Sequence, residues 1–503
     1  MTQATTLRSA GHLDNSPLVW VEKPEPAEVT WTLGSILREG GAAILVAFLL
    51  TAVLSGPADS TIKRLIVVSL GFGVLMGGFL LATKLSSRLI LALACAVMYE
   101  WNYFHPKILA HIVMISPAVL MALLAWMVDR ARTQRPDLIH HDAMGLKGVV
   151  VGGYIILLLC LLVAQAFSIA PLTVSLKWYF IRYIWAIPWV LAAARVVRNR
   201  ETPNFADGYI LIGLVVAASI LIYNLTGKEV LIYQGMAKLL EIREEDRYGG
   251  LLVNPNSSTL IIGSALVLLM LRWRAARGAA RWVSPIVLAV LALSMILAQS
   301  RGPILTVALL VMGLLLRRRW RKTALGITLL GVLGITFLSF AGFGETLAGG
   351  GTKLLERFQE SGEGFAGRLV IMGHSLTLLT EYPAGLGESQ EMFAWISAGG
   401  HVEHSEYVSF LVRGGWQSGM VAVVLMVTLI AGWAKATRQR FPNRPGSFVS
   451  ALLAFFLIAF IYSHPMTLRV ELNYIVHIVF TMAFVSLIYA QPQPSDVEVY
   501  GQS

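Results

Sequence analysis

The segment Gly399 to Leu411, GGHVEHSEYVSFL, holds two histidines three residues apart, His401 and His404, interleaved with Glu403 and Glu406. Residues of these types support more than one chemistry. Imidazoles at that spacing can share one face of a helical turn as half of a metal site, with carboxylate oxygen completing it. A neutral imidazole near its pKa is a general base for a hydroxyl, held in place by a carboxylate. Alternatively, the pair is solvated in a polar loop. A closed zinc site needs a third or fourth ligand, HExxH spacing is missing and Cys95 and Cys160 both lie inside apolar runs, so a metal site is not expected. Three arginines raise a related question: Arg182 in KWYFIRY, Arg247 ahead of an apolar run, and Arg301 in the tight turn QSRGP. A guanidinium is costly to desolvate unless it meets an anion, and its planar fork suits phosphate oxygens.

The chain that must position these groups is apolar. Of its 503 residues 56% are hydrophobic and 14% charged, and the mean hydropathy is +0.68, far outside the range of soluble domains. Apolar runs of about 20 residues recur with short polar breaks, which predicts an all-α, polytopic membrane bundle of about 12 to 14 transmembrane helices. A barrel would alternate in shorter segments. The runs centre near Leu45, Val74, Ala94, Val119, Leu157, Pro188, Val215, Gly263, Val290, Leu309, Leu330, Val424, Phe456 and Phe480. The third and tenth are short and read as tilted, broken or partly re-entrant. Gly73 and Gly77 form a small-xxx-small pattern, expected at a close helix crossing. Residues 1–38 are polar and contain Pro17, Pro24 and Pro26, so no cleavable signal peptide is expected. Cys95 and Cys160 read as small core residues.

Alternate loops are basic. They carry Arg130, Arg132, Arg135 and Lys147; Arg195, Arg198 and Arg200; Arg272, Arg274, Arg277 and Arg281; Arg317 to Lys322; and Lys435 to Arg444. These loops are expected in the cytoplasm, together with both termini. The net charge of +11 is then a topology signal rather than a nucleic-acid footprint. Two long loops face outward, 226–250 and 341–416. A loop of about 75 residues is usually functional or disordered. Leu369, Met372, Leu376 and Leu379 predict an amphipathic helix within it, lying on the bundle. None of the 29 carboxylates falls in mid-span, which counts against an ion-coupled transporter. Arg182, Arg247 and Arg301 converge on one outer layer and point to an anionic lipid ligand. His404 precedes Tyr407, Phe410 and Leu411, the start of an apolar face, so its imidazole is expected in that same layer.

At this point the residues resemble a family. HSEYVSFL from His404 to Leu411, with Gly415 eleven residues after the histidine, is similar to the His-Asn-x-Tyr-Leu run of the O-antigen ligase and O-antigen polymerase superfamily. Serine and valine stand where asparagine and leucine are usual. RYGGLLVNPN from Arg247 to Asn256, Ser300-Arg301-Gly302, Gly367-Arg368 and PAGLG from Pro383 to Gly387 look like four more of its pieces, in family order across 240–420. The resemblance implies a bacterial inner-membrane, multi-pass enzyme that transfers glycan from an undecaprenyl-diphosphate carrier to a glycan or lipid-core acceptor on the periplasmic side. It also implies neither metal nor nucleotide sugar, hence no cofactor. Carried over by position, Arg247 and Arg301 hold the diphosphate and His404 activates the acceptor, with Arg182, Arg368, Asn254, Asn256 and Tyr407 as further substrate contacts.

The expected organisation is a cytoplasmic tail, 1–38; N-terminal helices, 39–240; a ligase or polymerase-like region, 241–490, that includes the periplasmic loop 341–416; and a cytoplasmic tail, 491–503. Length slightly favours a polymerase over a ligase. The partners are lipid-linked donor, acceptor and bilayer, without nucleic acid. The alternative is a transporter or flippase of lipid-linked oligosaccharide.

Overall fold

The computed structural model describes residues 73–100, 117–132, 146–168, 171–199, 201–226, 250–252, 255–273, 278–300, 376–387 and 406–438, with the isolated positions 304, 307, 308 and 373. Among these there are helices and turns but no strand. The chain is an all-α membrane protein, with Thr202–Thr226, Ala279–Leu297 and Val408–Leu425 long and apolar enough to cross a bilayer.

Nine α-helices carry the description: α1 Leu85–Ala94, α2 Pro117–Arg132, α3 Leu146–Ala166, α4 Leu172–Tyr179, α5 Ala186–Arg198, α6 Thr202–Thr226, α7 Pro255–Trp273, α8 Ala279–Leu297 and α9 Glu406–Arg438. Helix α6 is apolar around its whole circumference and 72% of its central window is buried, as a central helix requires. It packs on α1, α7 and α8, while α1, α2 and α5 pack on one another. Along α5 the buried residues Ala186, Trp189, Ala193 and Val196 recur at helical spacing, forming one inward stripe. Helix α3 instead packs on α9 and α4 and leaves Val151, Ile155, Leu159, Leu162 and Val163 exposed, a face suited to acyl chains.

The third apolar run is interrupted as its length implied. Helix α1 widens into a π-helical turn at Cys95–Glu100. The run around Pro188 is α4, a π-helical turn at Phe180–Ile184, and α5. Tyr179, just before that turn, and Tyr183, within it, have ring centroids 5.5 Å apart. They join Leu157, Leu161, Phe410 and Leu425 in the core between α3, α4 and α9.

Polar groups concentrate at two ends. At the first, the basic end, Arg195 Nε pairs with Asp129, and Asn199 Nδ2 donates to the same carboxylate at 3.0 Å. Arg272 grips the buried Asp207 through two donors at 3.0 and 3.3 Å. Lys84 makes no side-chain cap for α1. Instead the Ser86 amide donates to Glu201 Oε2 at 2.6 Å, which places a carboxylate at the positive pole of α1.

Two expectations about packing are corrected. A Cβ on Gly73 or Gly77 would meet nothing within 4 Å among the described residues, so these glycines do not mark a tight crossing there. The close approach is at Gly213, where a Cβ would strike Ala265 of α7. In the loop helix, residues 376–381 are helical, but Leu376 is exposed while Leu378 and Leu379 are buried, so the inward face is rotated from the expected one. Leu369 and Met372 lie outside the described residues. Cys95 is buried, as read, and Cys160 is half-buried.

Candidate functional site

At the end of the bundle opposite Asp207, the 3-10 turn Gly250–Leu252 is locked onto α6. Ser219 Oγ accepts from the Leu251 amide at 3.1 Å and donates to the Val216 carbonyl at 2.7 Å. Gly250 has φ +66, and a Cβ there would come within 2.9 Å of Ile220 Cγ1, so only glycine fits. This turn follows Arg247 by three residues. Helix α7 then opens with Pro255, where the missing N–H costs nothing. Thr259 Oγ1 donates back to the carbonyls of Pro255 and Asn256, at 2.6 and 3.1 Å.

Helix α8 ends beside this point. Beyond Ala298, Gln299 takes φ +53, and Ser300 is fully buried. Ser300 Oγ donates to Asn256 Oδ1 at 2.7 Å. The start of α7 and the end of α8 are thereby tied together, and Ser300 is the direct neighbour of Arg301. Ser257, Ser258 and Thr259 are buried around them, making this a polar layer inside an apolar bundle.

A second polar construction joins residues 382–387 to α9. The Leu386 and Gly387 amides donate to the Val412 and Arg413 carbonyls at 2.9 and 3.0 Å, and the Trp416 amide donates to the Pro383 carbonyl at 3.2 Å. Gln417 Nε2 adds a bond to the Ala384 carbonyl at 3.1 Å. These bonds replace the ladder that α9 loses at Gly415, whose φ of 71 and ψ of −173 break the helix. Gly387 presses on α4 and the end of α3: a Cβ there would lie 2.6 Å from Ser168 Oγ and 2.8 Å from Ser175 Oγ. Ser175 Oγ donates in turn to Gln165, which is itself bonded to the Leu161 carbonyl. The glycines of PAGLG therefore form the contact surface of a turn docked between α9 and α4.

Of the residues expected to act, Asn256 stands at the open edge of the first layer, exposed, with its amide oxygen occupied by Ser300. Arg182 lies on the π-helical turn between Tyr179 and Tyr183, and Tyr407 on the first turn of α9; their side chains are outside the described residues. Arg247, Asn254, Arg301, Arg368, His401 and His404 also lie outside the described residues. The turn after Arg247 is nevertheless bonded to α6, and the residue before Arg301 to α7. Arg413 was missed: its side chain is fully buried one turn into the apolar part of α9, and its carbonyl holds the docked turn. A lone charge inside the run 408–425 was the available signal. The burial of Asp207, near the start of α6, was not foreseen either.

Residues 286–417 match the family model described as O-antigen ligase, a family of glycan-transferring membrane enzymes of surface-polysaccharide synthesis. The matched stretch begins in α8 and ends at Gln417, so it takes in Gln299 and Ser300, the docked turn and the break at Gly415. The Arg247 to Asn256 piece precedes it. A comparison with curated proteins finds no match.

Proposed function

We propose, from the premise that the stretch 286–417 belongs to the O-antigen ligase and polymerase superfamily, that this chain transfers glycan from an undecaprenyl-diphosphate donor on the periplasmic face of the inner membrane. The observation that carries the reading is the Asn256–Ser300 bond. It supports a single polar layer in which Arg301, inside the matched stretch, and Arg247, outside it, serve one site. Arg247 and Arg301 hold the diphosphate. His404 takes the proton of the acceptor hydroxyl as that oxygen bonds to the anomeric carbon of the donor. The bond from that carbon to the diphosphate oxygen breaks, and its electron pair leaves on undecaprenyl diphosphate between the two arginines, where fixed positive charge stabilises it. Because the leaving group is already activated, the step is metal-independent and needs no cofactor. Arg182, Arg368, Asn254, Asn256 and Tyr407 contact the donor or acceptor.

Polymerisation of repeat units is slightly favoured over ligation, on the length of the chain. Full-length protein reconstituted with lipid-linked oligosaccharide tests the reading: His404→Ala is expected to abolish transfer while donor binding persists. Full transfer by that variant overturns the base assignment, and translocation of donor without any transfer establishes the flippase alternative. In cells lacking the protein, single-repeat glycan identifies a polymerase and unattached full-length polymer a ligase.

A further inference from the structure

The residue just before Ser300 bears two unfavourable features at once. Gln299 is the only non-glycine among the described residues with positive φ, at +53, a conformation that glycine or asparagine adopts far more readily. The residue is also only 6% exposed, and its carboxamide oxygen is buried with no hydrogen-bond partner among the described residues. A buried acceptor left unsatisfied, like a strained backbone, persists where something outside the fold rewards it. The next residue, Ser300, is fully buried and tied to Asn256, which opens to the surface, so Gln299 sits where the buried polar layer meets an accessible one.

We propose that Gln299 is a sugar-recognition residue, its carboxamide oxygen accepting a hydrogen bond from a hydroxyl or amide N–H of the glycan carried on the lipid. The chemistry separates glycan from carrier. An ionised diphosphate offers only acceptors, which a carbonyl oxygen repels, whereas sugar hydroxyls and acetamido groups offer donors. Gln299 therefore reads the glycan end of a donor whose diphosphate lies with Arg301, two residues on. This rests on the donor class proposed above.

The test uses the full chain in lipid nanodiscs, with Gln299→Met, which keeps length but removes the amide, and Gln299→Gly, which accepts the backbone angle. Binding of undecaprenyl diphosphate and of the carrier-linked oligosaccharide extracted from the producing cells is measured, together with the unfolding temperature. Wild type is expected to prefer the glycosylated carrier. Both variants are expected to lose about tenfold in affinity for it, the scale of one hydrogen bond to a buried group. They should hold the bare carrier within about twofold and unfold no earlier than wild type. An unchanged preference overturns the inference and leaves the donor class standing. Parallel loss of both affinities with a lowered unfolding temperature also overturns it, since that marks a structural residue. Binding of neither probe by wild type overturns the donor class and the inference together.

Discussion

The backbones of Gly385 and Gly415 lie so close that a side chain on Gly385 would collide with the Gly415 amide nitrogen, and a Cβ on Gly415 would approach the Ala384 carbonyl carbon to 2.5 Å. Two stretches distant in the chain thus meet without side chains between them, and the meeting point is where α9 breaks.

Gly415→Ala is therefore expected to undock the turn. Its φ of 71 with ψ of −173 belongs to a region open essentially to glycine alone, at a cost of about 1–3 kcal/mol for other residues, and the collision adds to it. Hydrogen exchange at the Leu386 and Gly387 amides should accelerate at least about tenfold, the equivalent of 1.4 kcal/mol, and glycan transfer should fall with it. Wild-type protection in this variant would show that the docked turn tolerates a side chain.

The Asn256–Ser300 bond should appear as a coupling in a double-mutant cycle. Asn256→Ala and Ser300→Ala each remove one partner and leave the other polar group poorly satisfied. The coupling free energy from chemical unfolding is expected to be about 1 kcal/mol. Strict additivity would mean that the two helices are not joined here.

Asp207→Asn is expected to destabilise the fold while sparing the chemistry. Arg272 would keep its charge beside a carboxamide in a pocket where Asp207 is 1% exposed, a loss of about 3 kcal/mol. Ser219 stands about 18 Å further along α6 at 1.5 Å per residue, so transfer per folded molecule should stay at the wild-type rate. Thermal unfolding and specific activity are read side by side, and the exchange Asp207→Arg with Arg272→Asp should restore part of the lost stability. A fall in specific activity at unchanged stability would contradict a structural role for this pair.

Gly213→Leu should disrupt the α6–α7 crossing, because even a Cβ at this position strikes Ala265, whereas a Cβ on Gly73 meets nothing within 4 Å among the described residues and Gly73→Leu is expected to be tolerated. Loss of monodisperse protein on size exclusion is expected for the first and not for the second. Equal tolerance of both would remove Gly213 as the packing point.

Hydrophobic run length and loop charge are local properties, and what depends on them was legible in the chain. The apolar segments that fall among the described residues became helices near the expected centres, the short third run proved interrupted, and Arg195 and Arg272 gather at one end with acidic partners, while the centres Leu45, Leu309, Leu330, Phe456 and Phe480 lie outside the described residues. The glycines of PAGLG and Gly415 could be singled out by type and order, and residues 286–417 carry a recognisable family signature. The partners of those residues were not legible. Ser300 finds Asn256 across 44 positions, Gly387 finds Arg413, and Glu201 caps α1, because each bond depends on how helices cross rather than on any periodicity along the chain. The same reason explains why Gly73 and Gly77 have no close neighbour among the described residues while Gly213 was overlooked, since a small residue matters only where another element arrives. Composition and spacing by themselves determined that this is a helical membrane protein and which polar residues invite explanation. Tertiary packing decided which of the described ones share a layer, because a polar group inside an apolar bundle is stable only beside the partner that the crossing helices bring to it.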